Sequence, residues 1–205
     1  MNQLLLATEN PGKVLEMLAL LEDLPIRLVT PPDLGLRLHV VEDGSSYAEN
    51  ASRKALAHAR ASGLVSLGDD SGLEVEVLNG QPGLYSARFA PGPHPSDADR
   101  RVTLLNLLKN HPRPWKAVFC CTVAIAEPDG SLLFAEGKCR GEIVPLEKGI
   151  NGFGYDPIFR VDGLEKTMAE LDMDEKNKLS HRARALKAAR PALAALFGIS
   201  LKNGR

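Results

Sequence analysis

Two long strand-like runs, residues 116–126 and 132–144, flank the tripeptide Pro128-Asp129-Gly130. A break this short, carrying Pro and Gly, makes a hairpin, so the runs pair antiparallel. Earlier in the chain, short apolar runs alternate with helical patterns, the signature of strand–helix–strand units. A chain with both features builds an α/β fold around a mixed sheet, not a strictly parallel one.

The early elements follow from local chemistry. Residues 4–7 read as a short buried strand. Asn10 suits a helix N-cap, and Pro11 suits the first helical position, where its missing N–H costs nothing. Val14, Met17, Leu18 and Leu21 recur at helical spacing, predicting an amphipathic helix to about Glu22. Pro31-Pro32 marks a loop, and residues 38–41 a further short strand. Ser46 and Glu49 have capping-box spacing ahead of an Ala-rich helix that runs to about Ser62 and stops at Gly63. A short strand over 64–67 then leads into Asp69-Asp70-Ser71-Gly72, whose composition is that of a turn.

Leu73, Val75 and Val77 alternate with Glu74 and Glu76 as a half-exposed strand, and Asn79-Gly80 turns it. Residues 81–95, rich in Gly and Pro, form a long loop. Ser96 begins a helix with Val102, Leu105 and Leu108 on one face. A glycine-bearing loop spans 149–156. The last third is helical, with Leu186, Ala189, Leu193 and Leu196 as its apolar positions and Pro191 between two segments. Without repeats or linkers, residues 1–205 read as one domain.

Bulk properties exclude several classes. Apolar residues make up 44% of the 205, enough for a substantial core, and the formal net charge is −1. No global basic field points to a nucleic-acid polymer or an anionic membrane. The three cysteines show no metal-ligand spacing, and adjacent Cys120 and Cys121 would face opposite sides of a strand, which suits reduced buried thiols. The N-terminal apolar run lacks a charged leader and is too short to span a membrane, so a cytoplasmic protein is expected.

Four segments carry candidate chemistry. Thr8-Glu9-Asn10-Pro11-Gly12-Lys13 joins a strand to a helix N-terminus, where N–H groups and the helix dipole favour phosphate; Gly12 admits close approach and Lys13 adds a cation. It is not a Walker A loop. Asp69 and Asp70 offer hard oxygen ligands of the kind Mg²⁺ shares with substrate phosphates. Glu42-Asp43-Gly44 is a second acidic group, whereas Glu49 is at least as well explained as a cap. Phe153 lies between Gly152 and Gly154, a candidate plate for stacking a base, in a chain with 5% aromatics. Lys176 and Ser180-His181-Arg182 form a basic segment in which Ser180 can cap a helix and Arg182 suits a purine O6/N7 edge.

Together with Glu49-Asn50-Ala51, Lys54-Ala55, Pro82-Gly83-Leu84-Tyr85-Ser86-Ala87-Arg88 and Phe153-Gly154-Tyr155-Asp156-Pro157, these segments occur in one order from about Leu4 to Ala189. In that order the chain closely resembles the non-canonical purine NTP pyrophosphatases, the inosine/xanthosine triphosphate pyrophosphatases. The resemblance implies an elongated mixed β-sheet flanked by helices, two lobes with a central cleft, and a homodimer. It implies Mg²⁺-dependent hydrolysis of ITP, dITP and XTP to monophosphate and pyrophosphate, cleansing the nucleotide pool. Thr8, Glu9, Asn10, Pro11, Gly12 and Lys13 would hold the triphosphate, with Glu9 turned away from the phosphates. Asp70 would accept a proton and bind metal, with Glu42 as the other ligand in place of Asp43 or Glu49. Ser71, Phe153, Gly154, Tyr155, Asp156, Lys176, His181 and Arg182 would meet the nucleotide, His181 or Arg182 favouring a purine O6 acceptor. The nearest rivals are a Maf-like nucleotide pyrophosphatase and a nucleotide-sensing module without turnover.

Overall fold

The computed structural model describes residues 2–200. Three strands pair in parallel: β1 (Gln3–Leu6) lies between β2 (Arg27–Val29) and β3 (Val65–Val75), with Leu4 beside both Leu28 and Val65. The hairpin strands β4 (Trp115–Ala126) and β5 (Leu132–Ile143) follow, and β6 (Phe159–Val161) ends the sheet antiparallel to β5. The order is β2-β1-β3-β4-β5-β6, so the expected mixed sheet is present. Its helices are α1 (Pro11–Leu21), α2 (Tyr47–Ser62), α3 (Asp97–Leu108), α4 (Met173–Leu179) and α5 (His181–Phe197). Among the described residues, no helix is long and apolar enough to cross a membrane.

The described residues fall into two compact units. The first takes the chain up to Asp70, then Cys121–Gly137, then everything from Arg182 on; the second takes Ser71–Cys120 and Lys138–His181. In the first, Leu4, Leu6, Leu67, Cys121, Val123 and Ile125 pack with Met17 and Leu21 of α1 and with Ala185, Leu186, Ala189 and Leu193 of α5. Strand alternation turns Ala124 and Ala126 the other way, where they meet Ala51, Ala55 and Ala59 of α2. Small residues let that helix come close. A Cβ on Gly68 would lie 2.6 Å from the Ala51 carbonyl oxygen and 2.9 Å from the Ala55 nitrogen, so α2 rests on the backbone of β3 where only glycine fits. The second unit has its own core, in which Leu73, Val75, Leu104, Leu108, Ile143 and Phe159 surround Phe119.

Several expectations are corrected. Residues 38–41 form no strand; both edges of β1 are taken by β2 and β3, and Val41 is 56% exposed. The strand lies instead at Arg27–Val29. The acidic cluster is not a turn, because β3 runs unbroken from Val65 to Val75 and its would-be continuation through Val77 becomes a 3₁₀ turn, Glu76–Leu78. On α3 the buried positions are Leu104 and Leu108, while Val102 is exposed. Pro191 lies inside one continuous α5. Its side chain is on the exposed face, and the buried stripe on either side of it keeps the helix together.

Candidate active site

The site is best read from the alternation of β3. Asp69 and Asp70 are consecutive in an extended strand, so their side chains leave opposite faces. Asp69 is fully buried on the side of α1 and α5. Its Oδ2 meets Lys13 Nζ at 3.1 Å and accepts from Arg182 Nε at 3.2 Å and Nη2 at 3.1 Å. Arg182 is itself 1% exposed, and its remaining terminal nitrogen, Nη1, pairs with buried Glu16. Burial alone would raise the Asp69 pKa, but Lys13, Arg182 and Lys54 outweigh it and hold the carboxyl well below the usual range. The guanidinium is spent on two carboxylates. A purine carbonyl, which His181 or Arg182 is expected to favour, would compete with them for this side chain.

Asp70 sits on the α2 side. Its Oδ2 accepts from Asn50 Nδ2 at 3.0 Å, and its Oδ1 lies 3.9 Å from Lys54 Nζ. The same ammonium donates to Glu42 Oε2 at 2.7 Å. Here burial dominates, ahead of the opposing pull of Lys54 and Asn50, and the Asp70 pKa is raised. Burial pulls Lys54 down, but Asp69, Asp70 and Glu42 together keep its pKa raised.

Of the three acidic candidates beside Asp70, the geometry favours Glu42. Asp43 pairs with Arg53. Glu49 bonds Ser45 through its N–H and hydroxyl, and also pairs with Arg53. The Ser46 cap is half of the expected box: its Oγ accepts from Glu49 N, but the Glu49 carboxylate goes to Ser45. One ammonium shared by Glu42 and Asp70 shows that two hard oxygen donors can face one cation. Among the described residues no three metal-ligating side chains cluster. Two carboxylates are fewer than a closed protein cage needs, and Mg²⁺ is commonly held by one or two carboxylates together with substrate phosphates.

The Thr8–Lys13 segment is built as its sequence implies. Asn10 caps α1 by accepting from Lys13 N at 3.0 Å, Pro11 and Gly12 open the helix, and Thr8 Oγ1 accepts from Asn10 N at 3.2 Å. Lys13 turns toward Asp69. Thr8 and exposed Glu9 instead line a cavity of about 940 Å³ along α1, with Val14 and Leu15 on one side and Thr30, Leu36, Arg37 and His39 on the other.

The second unit holds the aromatic loop. Gly152 has φ +72°, and any side chain there would run into the Asp156 carboxylate. Asp156, 3% exposed, accepts from Phe153 N at 3.0 Å and from Lys176 Nζ at 2.6 Å. That ammonium also sits 5.2 Å from the centroid of the half-buried Phe153 ring. Ser71, half-buried, follows Asp70 in β3. Tyr155 points inward, donating to the Ser86 carbonyl at 2.9 Å, so its side chain anchors the loop. Ser180 ends α4, and His181 opens α5 with its ring buried and stacked on Phe119, centroids 4.7 Å apart. Sequence reasoning gave no role to Glu16, Asn50 or Lys54. Only the last two lie in segments it singled out.

The chain is similar to known proteins over most of its length. The profile of the Ham1 family matches residues 4–192. A dITP/XTP pyrophosphatase of Desulforamulus reducens is 47% identical over 95% of this chain and 97% of its own, and that of Geobacter sulfurreducens is 43% identical over 91% and 94%. Among solved structures, a HAM1 protein from Coxiella burnetii superposes with a TM-score of 0.86 at 39% identity, covering 95% of this chain and all of that one. A nucleoside-triphosphatase / dITP/XTP pyrophosphatase from Mycobacterium abscessus gives 0.72 at 39% identity, covering 93% and 99%. With its profile, its relatives and its fold in agreement over nearly the whole length, the chain belongs to the Ham1 family.

Proposed function

We propose that this protein hydrolyses deaminated purine nucleoside triphosphates (ITP, dITP and XTP) to the monophosphate and pyrophosphate, with Mg²⁺ as cofactor. The observation that carries the reading is the setting of Asp70. It is a carboxylate of raised pKa, oriented by a neutral amide, with a second carboxylate reached through a shared cation. Relatives named dITP/XTP pyrophosphatase support the substrate class.

Asn50 holds one oxygen of Asp70 in place, so the carboxylate meets an attacking water in a fixed orientation. Burial raises the Asp70 pKa, and a bound Mg²⁺ would pull it back down, so the carboxylate would stay ionised as an acceptor while the metal supplied much of the water's activation. As the water oxygen bonds to the α-phosphorus, its proton passes to Asp70, the bond to the bridging oxygen breaks, and pyrophosphate departs. Glu42 and Asp70 are the residues that would hold Mg²⁺, which, when bound, neutralises phosphate oxygens and lowers the pKa of water. The N-terminus of α1 offers positive potential to the leaving phosphates, and Lys13 would add to it by sharing its ammonium between them and Asp69. Phe153 offers its ring to the base, with Lys176 and Asp156 behind it.

Incubation with dITP, XTP, GTP and ATP, with Mg²⁺ and with chelator, tests the reading. Pyrophosphate released from dITP and XTP only when Mg²⁺ is present is the expected result; orthophosphate, or equal rates with ATP, overturns it. The same resemblance supports a cytoplasmic homodimer, for which sedimentation should give twice the mass of one chain.

A further inference from the structure

Gly154, directly after the Phe153 ring, is gripped at both ends by one helix. Its N–H donates to Asp97 Oδ2 at 2.7 Å, and its carbonyl accepts from Arg101 Nη1 at 2.9 Å. Asp97 and Arg101 are four residues apart on α3, and so share a face of the helix. Arg101 is itself fixed, its Nε and Nη2 donating to the two oxygens of Glu147 at 2.9 and 3.0 Å. The start of α3 does not need Asp97 as a cap, because Ser96 and Asp99 already form a complete capping box. Gly154 has φ +63° and is the most freely rotating kind of residue in the chain. The two bonds lock the peptide planes before and after it, and the plane before it is the one that sets the backbone of Phe153. The opposite edge of the loop is held by Asp156, which bonds Phe153 N and Lys176.

We propose that Asp97 and Arg101 are positioning residues for the nucleobase, holding the Phe153 plate so that its ordering is completed on folding and not on binding. The inference rests on the reading above, in which Phe153 stacks a base. A clamp of this kind acts on affinity and leaves the chemistry at Asp70 alone.

The test is a double-mutant cycle on KM for dITP, using wild type, Arg101→Ala, Phe153→Ala and the double variant. Losing a base stack of about 1–3 kcal/mol, at 1.4 kcal/mol per decade, should raise KM roughly 5- to 150-fold in Phe153→Ala. Arg101→Ala alone should raise KM about 10-fold and leave kcat within about 2-fold, but in the Phe153→Ala background it should add less than about 2-fold. Arg101→Lys, which keeps a donor for the Gly154 carbonyl, should recover part of the loss. Equal factors in the two backgrounds, or a fall in kcat and Tm with KM unchanged, overturn the clamp. Should Arg101→Ala fail to fold, Asp97→Ala, with the Ser96 cap intact, takes its place under the same criterion. If the wild type releases no pyrophosphate from dITP, the hydrolysis reading falls. The cycle is then scored on the calorimetric Kd for dITP, where additive losses, or no binding at all, sink the clamp as well.

Discussion

Asp69 and Asp70 are neighbours in one strand, yet the two faces of β3 treat them in opposite ways. Asp69 lies among Lys13 and Arg182, with Glu16 behind, and its pKa is depressed. Asp70 is held by an amide and stands farther from its nearest ammonium, and its pKa is raised. A one-residue step in an extended chain thus separates a carboxylate committed to the interior from the one that the proposed reaction uses. The contrast also recasts Arg182, which is a buried counter-ion of the first face.

The largest effect expected from this contrast is on turnover. Asp70→Asn keeps the shape and an acceptor for Asn50 but cannot take a proton. The loss of kcat should be about 10²- to 10⁴-fold, the usual worth of a general base. Removing a buried charge should leave the urea midpoint where it was or raise it. Normal turnover in this variant would end the assignment of Asp70. Asp69→Ala should reverse the pattern and act first on stability, because it strands Arg182 and Lys13 beside a lost partner. Breaking a buried pair costs roughly 3–5 kcal/mol. At urea slopes of about 1–3 kcal/mol per molar, the midpoint should fall by more than about 1 M. An Asp69→Ala protein as stable as the wild type would show that the face is not the structural one.

Much of the fold was legible because its signals are local. The Asn10 cap, the Gly63 stop and the hairpin at 127–131 depend on residues within a few positions, and each forms where expected. Signals set by distant partners were not legible. Asp69-Asp70-Ser71-Gly72 has turn chemistry, but β1 and β4 on either side of β3 keep it extended. The helical pattern on α1 puts Leu18 inside and Glu16 outside, and the structure does the opposite, with Leu18 at 38% exposure and Glu16 at 3%. Glu16 goes in because Arg182, 166 residues later, supplies its counter-charge. Asp97 and Arg101 carry no signal in the sequence for the same reason, since Gly154 is far along the chain. Asp70 draws its proposed role from resemblance of the whole ordered set; its partner Asn50 lies within one of those motifs, but only the fold brings its amide to the carboxylate.

A smaller effect probes how dry the Asp69 face is. Cys121 is 1% exposed and packs with Leu6, Met17 and Leu67. Burial, reinforced by the charge of Asp69, pushes its thiol up to about 12. The reactive species is the thiolate. A pKa four units above pH 8 leaves about one thiol in 10⁴ ionised, and raising the pH from 8 to 9 should still leave Cys121 intact in the folded protein. Iodoacetamide should therefore label Cys121 only after denaturation, as read by peptide mass spectrometry. In Asp69→Asn, studied where it remains folded, the loss of the neighbouring charge should lower the thiol pKa and start slow labelling near pH 9. Rapid native labelling of Cys121 in the wild type would mean that water reaches this face and screens the pull of Lys13 and Arg182 on Asp69.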